Sequence, residues 1–325
     1  MDGRNEYGNA LVVRLRNLRR AAGGALNVFT ARLMNARRGG AAPTPPSLEV
    51  YEALATPTLL DTASLLAGRS NPERARLLET ILCKSGAPVE RRPYRALQGR
   101  GINLFVDAGR GPRVLLLAAH HDAVPGSPGA NDNAAAVSIL VALWQCLARD
   151  PPRRLTVRLA FFGDEERGML GSRVYARTTD LGNLLGVVSL ELCGIGDSFA
   201  VWDVTPALER TALVQAWIAA VEALGYRRDE THHLTGPVPF FGSDHRPFAD
   251  YGIPAVGLTV VPAAHADALR RFIYGGLRGI LVRPARRPPP FTTYHTAGDR
   301  AETLDPAALA RVKAALEALV RAMDG

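Results

Sequence analysis

Four separate segments of the chain place histidine, aspartate and glutamate at or beyond the ends of apolar, strand-like runs. The first run ends in residues 120–122 (His-His-Asp), the second is followed by residues 164–166 (Asp-Glu-Glu), and the third ends near Glu191. A long loop after the last run leads to His295. Imidazole and carboxylate groups without thiolate are the ligand set of catalytic zinc and related divalent ions. These residue types therefore predict a metal centre with catalytic chemistry.

The spacing within each segment suggests which side chains would bind metal and which would support or assist them. Residues two apart in a strand share a face, so His120 can bind a metal while Asp122 accepts its second ring N–H. Asp132 lies in the stretch PGANDN, where a Pro/Gly loop meets a helix start, and its carboxylate suits a bridge between two cations. Glu165 and Glu166 are neighbours and point apart, so one can bind metal while the other stays free as a base.

Each of these features also has an ordinary structural explanation. A Glu-Glu pair is usually solvated surface, a histidine after a strand is commonly a cap or a packed core residue, and Asp132-Asn133 suits a helix N-cap. The combination favours a metal site, because every feature follows a predicted strand. In open α/β sheets, ligands bind beyond the carboxyl ends of the strands.

Apolar strand-like runs alternate with helical patterns over most of the chain. Strands are predicted at 89–97, 102–107, 113–120, 154–163, 185–193 and 253–261. Helices are predicted at 48–67, 71–84, 132–149, 206–224, 264–277 and from Asp305-Pro306 onward. This alternation predicts an α/β fold, with a mostly parallel mixed central sheet flanked by helices on both faces as a three-layer sandwich.

The N-terminal 47 residues differ from the rest in composition. Residues 1–45 hold eight arginines, no lysine and only two acids, Asp2 and Glu6, so they carry 8 − 2 = +6 of the net charge of +8. Gly23-Gly24 is expected to interrupt any helix in this arm, and residues 39–47 form a Pro/Gly linker. We expect a flexible basic arm over 1–47, with weak contact to a membrane surface as the alternative, and a single domain over 48–325.

Composition and charge also exclude some classes of function. Because the basic charge is confined to the arm, the body of the protein lacks the electrostatic signature of nucleic-acid binding. No apolar run approaches the roughly 20 residues of a transmembrane span. With no clear signal peptide in the sequence, the expected location is cytoplasmic.

Five motifs together resemble peptidase family M28, which includes bacterial aminopeptidases and is similar in fold to glutaminyl cyclases. They occur in the family's order between about residues 113 and 305, while the first hundred residues match nothing diagnostic. The motifs are HHDAVPGSPGANDNAAAV (120–137), FFGDEERGMLGSRVYA (161–176), SLELCG (189–194), GSDHRPFADYGIPAV (242–256) and YHTAGDRAETLD (294–305).

The resemblance implies two zinc ions per chain. His120, Asp132 and Glu191 would bind one zinc, and Asp132, Glu166 and His295 would bind the other. The sequence departs from many relatives at Glu191, where aspartate is frequent. Glutamate can still bind zinc, but its longer side chain changes where that metal would lie.

The same resemblance implies roles for four further residues. Glu165 would be the general base and Asp122 the partner of His120, while Asp244 and His245 would shape the pocket rather than bind metal. The implied function is a di-zinc exopeptidase, of aminopeptidase type, which hydrolyses the N-terminal bond of a peptide or small amide with a metal-bridging hydroxide.

Two alternatives remain open from the sequence. One is a single-zinc enzyme of the glutaminyl-cyclase type, or another amidohydrolase, on the same scaffold. The other is a binding protein that lost catalysis, which is disfavoured because neither Glu165 nor any ligand position is replaced by an inert residue.

A long loop at residues 226–247 is placed to flank the predicted site. Phe240 and Phe241 are expected either to line an apolar specificity pocket or to anchor a surface loop. His232 and His233 are expected to be exposed to solvent. His121, which points away from His120, is expected to pack or to donate a hydrogen bond.

Overall fold

An eight-stranded mixed sheet forms the centre of a computed structural model that describes residues 10–36, 44–239, 241–275 and 286–325. The strands are β1 Glu90–Ala96, β2 Gly99–Ala108, β3 Arg113–His120, β4 Leu155–Phe162, β5 Leu184–Leu190, β6 Ser198–Trp202, β7 His232–Leu234 and β8 Ala255–Val261. Their order across the sheet is β1-β2-β4-β3-β5-β8-β6-β7.

The four central strands of the sheet are parallel, and antiparallel pairs join them to the strands on either side. Strands β4, β3, β5 and β8 run parallel to their neighbours in that order. At one side β1 and β2 pair antiparallel, and at the other β6 pairs antiparallel with β8. The central strands are apolar almost throughout, as parallel strands covered on both faces require. The predicted mixed, mostly parallel sheet is confirmed.

Helices cover both faces of the sheet. They are α1 Ala10–Ala36, α2 Leu48–Glu52, α3 Leu59–Leu66, α4 Asn71–Lys84, α5 Ala135–Arg149, α6 Leu170–Thr178, α7 Pro206–Glu209, α8 Ala212–Ala223, α9 Arg246–Ala249, α10 Ala266–Tyr274 and α11 Pro306–Asp324. Helices α3, α5, α8 and α11 pack in the larger core on one face. On the other face, α6 and α9 pack over an aromatic cluster that includes Phe162, Tyr175 and Phe248. The three-layer arrangement is therefore as predicted.

Three details of the predicted elements are wrong. The helix expected at 48–67 is two helices, because Thr58 starts α3 with a reciprocal capping box to Asp61. The helix expected at 206–224 is also divided, into α7 and α8. Strands β6 and β7 were not predicted, since each is short; β7 contains His232, which is fully buried rather than exposed.

Residues 10–36 are not an interrupted arm but one continuous helix, α1. The glycine pair does not break it, because Gly24 packs directly on the backbone of the segment after β4: a Cβ there would lie 2.2 Å from the carbonyl carbon of Arg167. The predicted linker residues 39–43 lie outside the described residues. In the part of the chain that the structure describes, no helix is long and apolar enough to cross a membrane.

Candidate metal centre

The carboxyl ends of three neighbouring parallel strands deliver the predicted site residues to one place. His120 is the last residue of β3 and Glu191 directly follows β5. Residues 165–167 form a short 3₁₀ turn just after β4, which pairs in register with β3. Asp132 lies in a five-residue turn before α5, where its backbone departs from helical geometry (φ −120°, ψ 79°). The structure therefore brings the predicted segments together at one edge of the sheet.

The side chains form two groups that share one carboxylate. Asp132 Oδ1 lies 3.1 Å from His120 Nε2, which is 3.5 Å from Glu191 Oε2. The other oxygen of the same carboxylate, Asp132 Oδ2, lies 3.1 Å from His295 Nε2, which is 3.1 Å from Glu166 Oε2. Within each group the candidate ligand atoms all lie within 4.8 Å of one another. These are the two ligand sets that the family resemblance implied.

Several of these buried atoms converge without forming hydrogen bonds. Asp132 Oδ2, Glu166 Oε1 and His295 Nε2 have no hydrogen-bond partner among the described residues, although His295 Nε2 is close to two carboxylates. Buried polar groups are normally hydrogen-bonded, and each exception calls for a physical reason. A divalent cation supplies that reason, since imidazole and carboxylate atoms that converge on one point are suitable ligands for it. The residues present therefore fit a metal.

The pKa shifts of the two histidines also indicate that both groups favour bound positive charge. Burial lowers the pKa of His295, but the charges of Glu166 and Asp132 outweigh this effect and raise the pKa to about 10. Burial also opposes the charged form of His120, yet Glu191 and the neighbouring aspartates raise its pKa well above the ordinary value. Three carboxylates thus share two imidazoles, and cations that bind here would displace protons from both rings.

Glu165 is half-buried beside both groups. Burial raises its pKa well above the ordinary value of a glutamate; His120 opposes this shift, and the charges of Glu191 and Glu166 add to it. A carboxylate with increased proton affinity is the type of group that can act as a general base near neutral pH. Its position next to the ligand groups is consistent with the predicted role, which stays a prediction.

Asp122 supports the site through the backbone as well as through His120. Its carboxylate accepts the backbone N–H groups of Glu165 (3.0 Å) and Glu166 (3.2 Å). The ring Nδ1 of His120 hydrogen-bonds to the backbone oxygen of Asp122 at 3.1 Å, while the carboxylate lies 3.5 Å away. Asp122 therefore fixes both the turn at 165–167 and the orientation of the imidazole. His121 hydrogen-bonds to the carbonyl of Ile102 on the other side of β3, as predicted.

Two charged residues that the sequence did not identify hold the loop between β3 and α5. Asp299 is fully buried and accepts the backbone N–H groups of Asn131 (2.7 Å) and Asp132 (3.1 Å). Arg74, from α4, is also buried, and its hydrogen bonds among the described residues all go to backbone carbonyls, including those of His121 and Gly129. Asp299 belongs to a motif noted in the sequence, whereas nothing in the pattern of α4 distinguishes Arg74 from a surface arginine.

Helix α1 reaches the same site from the outside. Asn27 Nδ2 donates to Glu166 Oε2 at 2.8 Å, and Asn35 Nδ2 donates to the backbone oxygen of His295 at 3.2 Å. Asn35 Oδ1 also accepts the backbone N–H of Ala297. No pattern in the sequence indicated that the N-terminal segment would contact a candidate ligand.

Asp244 and His245 lie beside the site and belong to neither ligand group. Asp244 Oδ1 accepts a 2.5 Å hydrogen bond from Ser172, and burial raises the Asp244 pKa to about 7. His245 is fully buried, with Nε2 2.9 Å from Asp203, which also accepts two hydrogen bonds from Arg246. The expectation that these two residues shape the pocket stays a prediction.

Replacing Asp203 with asparagine is expected to lower the free energy of unfolding by about 2 kcal/mol at pH 6, because charged hydrogen bonds to His245 and Arg246 are lost. Burial raises the Asp203 pKa, but those hydrogen bonds lower it more, to below the ordinary range. The unfolded chain then binds more protons, so this stabilisation is present above about pH 4 and is lost as the pH falls further.

Urea unfolding of the wild type and the Asp203→Asn variant at pH 6 and pH 3.5 measures this difference. Asp150→Asn is the matched control, because Asp150 pairs with Arg321 at an exposed site and is expected to change stability by less than about 1 kcal/mol. A difference between wild type and Asp203→Asn that is as large at pH 3.5 as at pH 6 would contradict the assignment.

An apolar cavity of about 720 Å³ opens beside Glu191. Its lining includes Leu192, Trp202, Phe241, Leu269, Phe291 and Tyr294. The expectation that Phe241 lines an apolar pocket is confirmed, whereas Phe240 lies outside the described residues. Tyr294 also stacks on the ring of His295, with 3.6 Å between ring centroids, so the cavity and the second ligand group share a wall.

Comparison with known proteins places the chain in a family. Residues 103–320 match the model of peptidase family M28. Leupeptin-inactivating enzyme 1 of Streptomyces exfoliatus is 26% identical over 234 residues, which are 67% of this chain and 51% of that protein. The chain spans about half or less of the length of the curated relatives that it matches first.

Solved structures share the fold. A zinc aminopeptidase from Bacillus subtilis is 22% identical with a TM-score of 0.53, over 69% of this chain and 50% of that one. A glutaminyl cyclase from Porphyromonas gingivalis is 20% identical with a TM-score of 0.60, over 82% of this chain and 96% of that one. The family match covers most of the chain and includes every segment that forms the candidate metal centre except α1 and α4, which both precede it. The chain therefore belongs to peptidase family M28.

Proposed function

We propose that this protein is a di-zinc aminopeptidase. The observation that carries the proposal is the carboxylate of Asp132, which offers one oxygen to His120 and the other to His295. Each side is completed by a further carboxylate, Glu191 in one group and Glu166 in the other. A carboxylate shared between two histidine-containing groups is an arrangement that can hold a pair of divalent ions side by side.

The chemistry of hydrolysis is divided between the ions and Glu165. Two zinc ions held here would polarise the scissile carbonyl. They would also lower the pKa of water, so that hydroxide would be available to attack the carbonyl near neutral pH. Glu165 is beside both ligand groups but belongs to neither, so its carboxylate is available to take the proton of the attacking water. It can then pass that proton to the leaving amine.

The surroundings of the centre suit the N-terminus of a peptide with an apolar first residue. The adjoining cavity presents apolar and aromatic surface, from Phe241, Leu269 and Phe291, to the first side chain. Apolar cavities with a few oriented polar groups at one end are typical of small-ligand sites.

Metal analysis combined with a panel of aminoacyl anilides tests the proposal. We expect two zinc ions per chain, loss of activity with a chelator and recovery with zinc. Leucyl and phenylalanyl substrates are expected to exceed aspartyl and lysyl substrates by roughly tenfold or more, since one or two well-packed apolar groups give discrimination of this size.

The rival activity, a single-zinc amide cyclotransferase, gives a different result in the same assay. One zinc per chain, with cyclisation of an N-terminal glutamine and no release of free amino acids, would overturn the aminopeptidase assignment. The cyclase fold neighbour makes this substrate a necessary member of the panel.

A further inference from the structure

Helix α1 has two opposite faces, and the one that packs on the body of the protein is mainly polar: Gly24 and Ala31 are buried there, and its polar side chains are partly buried. The docked face contacts the body of the protein and comprises Asn17, Arg20, Gly24, Asn27, Ala31 and Asn35. The apolar face lies half a turn away and comprises Leu15, Leu18, Leu26, Phe29 and Leu33. A helix on the surface of a globular protein normally has the opposite orientation, with its apolar stripe toward the core.

Specific contacts hold the docked face in this orientation. Arg20 forms an ion pair with Asp250, and Arg173 donates to the backbone oxygen of Asn17 at 2.9 Å. Asn27 and Asn35 donate to the metal centre and its loop, as described above. Gly24 allows the close approach to the backbone at Arg167. Rotation of α1 to cover its leucines would break every one of these contacts.

The apolar face is left open to solvent. Each of its five residues exposes at least 55% of its surface. Successive members are three, eight, three and four residues apart, so they lie on one side of the helix and form a stripe along about five turns. A contiguous apolar patch of this length marks an interaction surface rather than scattered surface hydrophobics.

The charge of α1 indicates which kind of partner its apolar face would contact. Residues 10–36 contain five arginines and no acidic residue. At 100° per residue, Arg14 and Arg32 border one side of the apolar face and Arg19 borders the other. A second copy of the helix would bring arginines against arginines with no carboxylate between them. An anionic lipid surface accepts both features, because arginine stems lie along apolar surface while their guanidinium groups reach the headgroups.

We propose that the apolar face of α1 docks the protein on an anionic lipid membrane, with the helix lying in the plane of the surface. The docked face of the same helix contacts Glu166, so the metal centre would lie about one helix diameter, ~10 Å, from the lipid. This inference is independent of the proposed peptidase activity and is tested by binding alone.

Co-sedimentation of the full, zinc-loaded chain with vesicles provides the test. We expect binding to vesicles of 70% phosphatidylcholine and 30% phosphatidylglycerol, weak binding to phosphatidylcholine alone, and release by 0.5 M salt. The double variant Leu18→Glu/Phe29→Glu is expected to bind at least about tenfold more weakly, because two side chains leave the lipid. Both positions are exposed, so the variant should keep its fold, which circular dichroism verifies.

Two further variants separate the contributions of charge and location. Arg14→Gln/Arg32→Gln is expected to weaken binding to the anionic vesicles by roughly tenfold or more, since each basic residue near such a surface contributes about fivefold. Leu224→Glu, which changes an exposed leucine at the end of α8, is the matched control and is expected to leave binding unchanged.

Three results would overturn the proposal. The first is no binding of the wild-type chain to anionic vesicles at low salt. The second is equal binding by the Leu18→Glu/Phe29→Glu variant. The third is a dimer in solution that this variant dissociates, without any vesicle binding, which would assign the apolar face to a second copy of the chain.

Discussion

Replacing Glu165 with glutamine is expected to lower turnover by about 10³-fold or more, with the zinc content unchanged at the two ions per chain that we propose. The amide has nearly the same shape as the carboxylate but cannot accept the proton of the attacking water. General base catalysis typically contributes 10²- to 10⁴-fold to an enzymatic rate, and 10³-fold corresponds to about 4 kcal/mol of activation free energy. The measurements are kcat for aminoacyl anilides and zinc content per chain on the same sample.

Glu317→Gln is the matched control for this experiment. Glu317 lies on α11 and pairs with Lys313 at a partly exposed site remote from the metal centre. Its loss is expected to leave turnover unchanged. Turnover close to that of the wild type in a Glu165→Gln sample with two zinc ions would remove Glu165 from the mechanism, whereas loss of zinc would place it among the ligands instead.

The grouping of the candidate ligands was predictable from the sequence to the extent that these residues lie at strand ends. The four buried parallel strands have nearly continuous apolar runs, which set their boundaries to within two or three residues. Once the ends of β3, β4 and β5 are known, the geometry of a parallel sheet places His120, Glu165 and Glu191 at one edge. Asp132 and His295 lie in long loops, and their convergence could be inferred only from the family resemblance.

Two other features depend on contacts that no local pattern encodes. Gly23-Gly24 indicates a helix break by intrinsic propensity, but the close approach of α1 to Arg167 makes Gly24 part of a packing surface. His232 lies in a polar stretch, yet the pairing of β7 with β6 buries it. Propensity describes a segment alone, whereas both outcomes are decided by residues more than 25 positions away.

Replacing Arg74 with methionine is expected to lower the free energy of unfolding by about 3–5 kcal/mol, a large part of a typical total of about 5–15 kcal/mol. The Arg74 guanidinium donates to the carbonyls of His121 (2.6 Å), Pro128 (3.1 Å) and Gly129 (3.1 and 3.2 Å). Methionine fills much of the same volume but leaves these buried acceptors unpaired, and each unpaired group costs about 1–3 kcal/mol. Urea unfolding of the zinc-free chain measures the loss.

Arg74→Lys and Arg76→Met define what the guanidinium contributes. A lysine keeps the charge but cannot span carbonyls at both ends of the loop, so it is expected to recover less than half of the lost stability. Arg76 is exposed on the same helix, and its replacement should change stability by at most about 0.5 kcal/mol. Equal stability of Arg74→Met and the wild type would contradict the assignment.

The same arginine links the fold to the metal centre. Its acceptors are the carbonyls of His121, one residue beyond His120, and of Gly129, three residues before Asp132. Arg74 therefore holds both ends of the loop that connects these two candidate ligands. Arg74→Met should therefore weaken zinc binding even under conditions in which the chain remains folded, by about 10- to 100-fold, as loss of groups that orient ligands typically does. Zinc affinity that is unchanged in the folded variant would show that the loop keeps its ligands in place without Arg74.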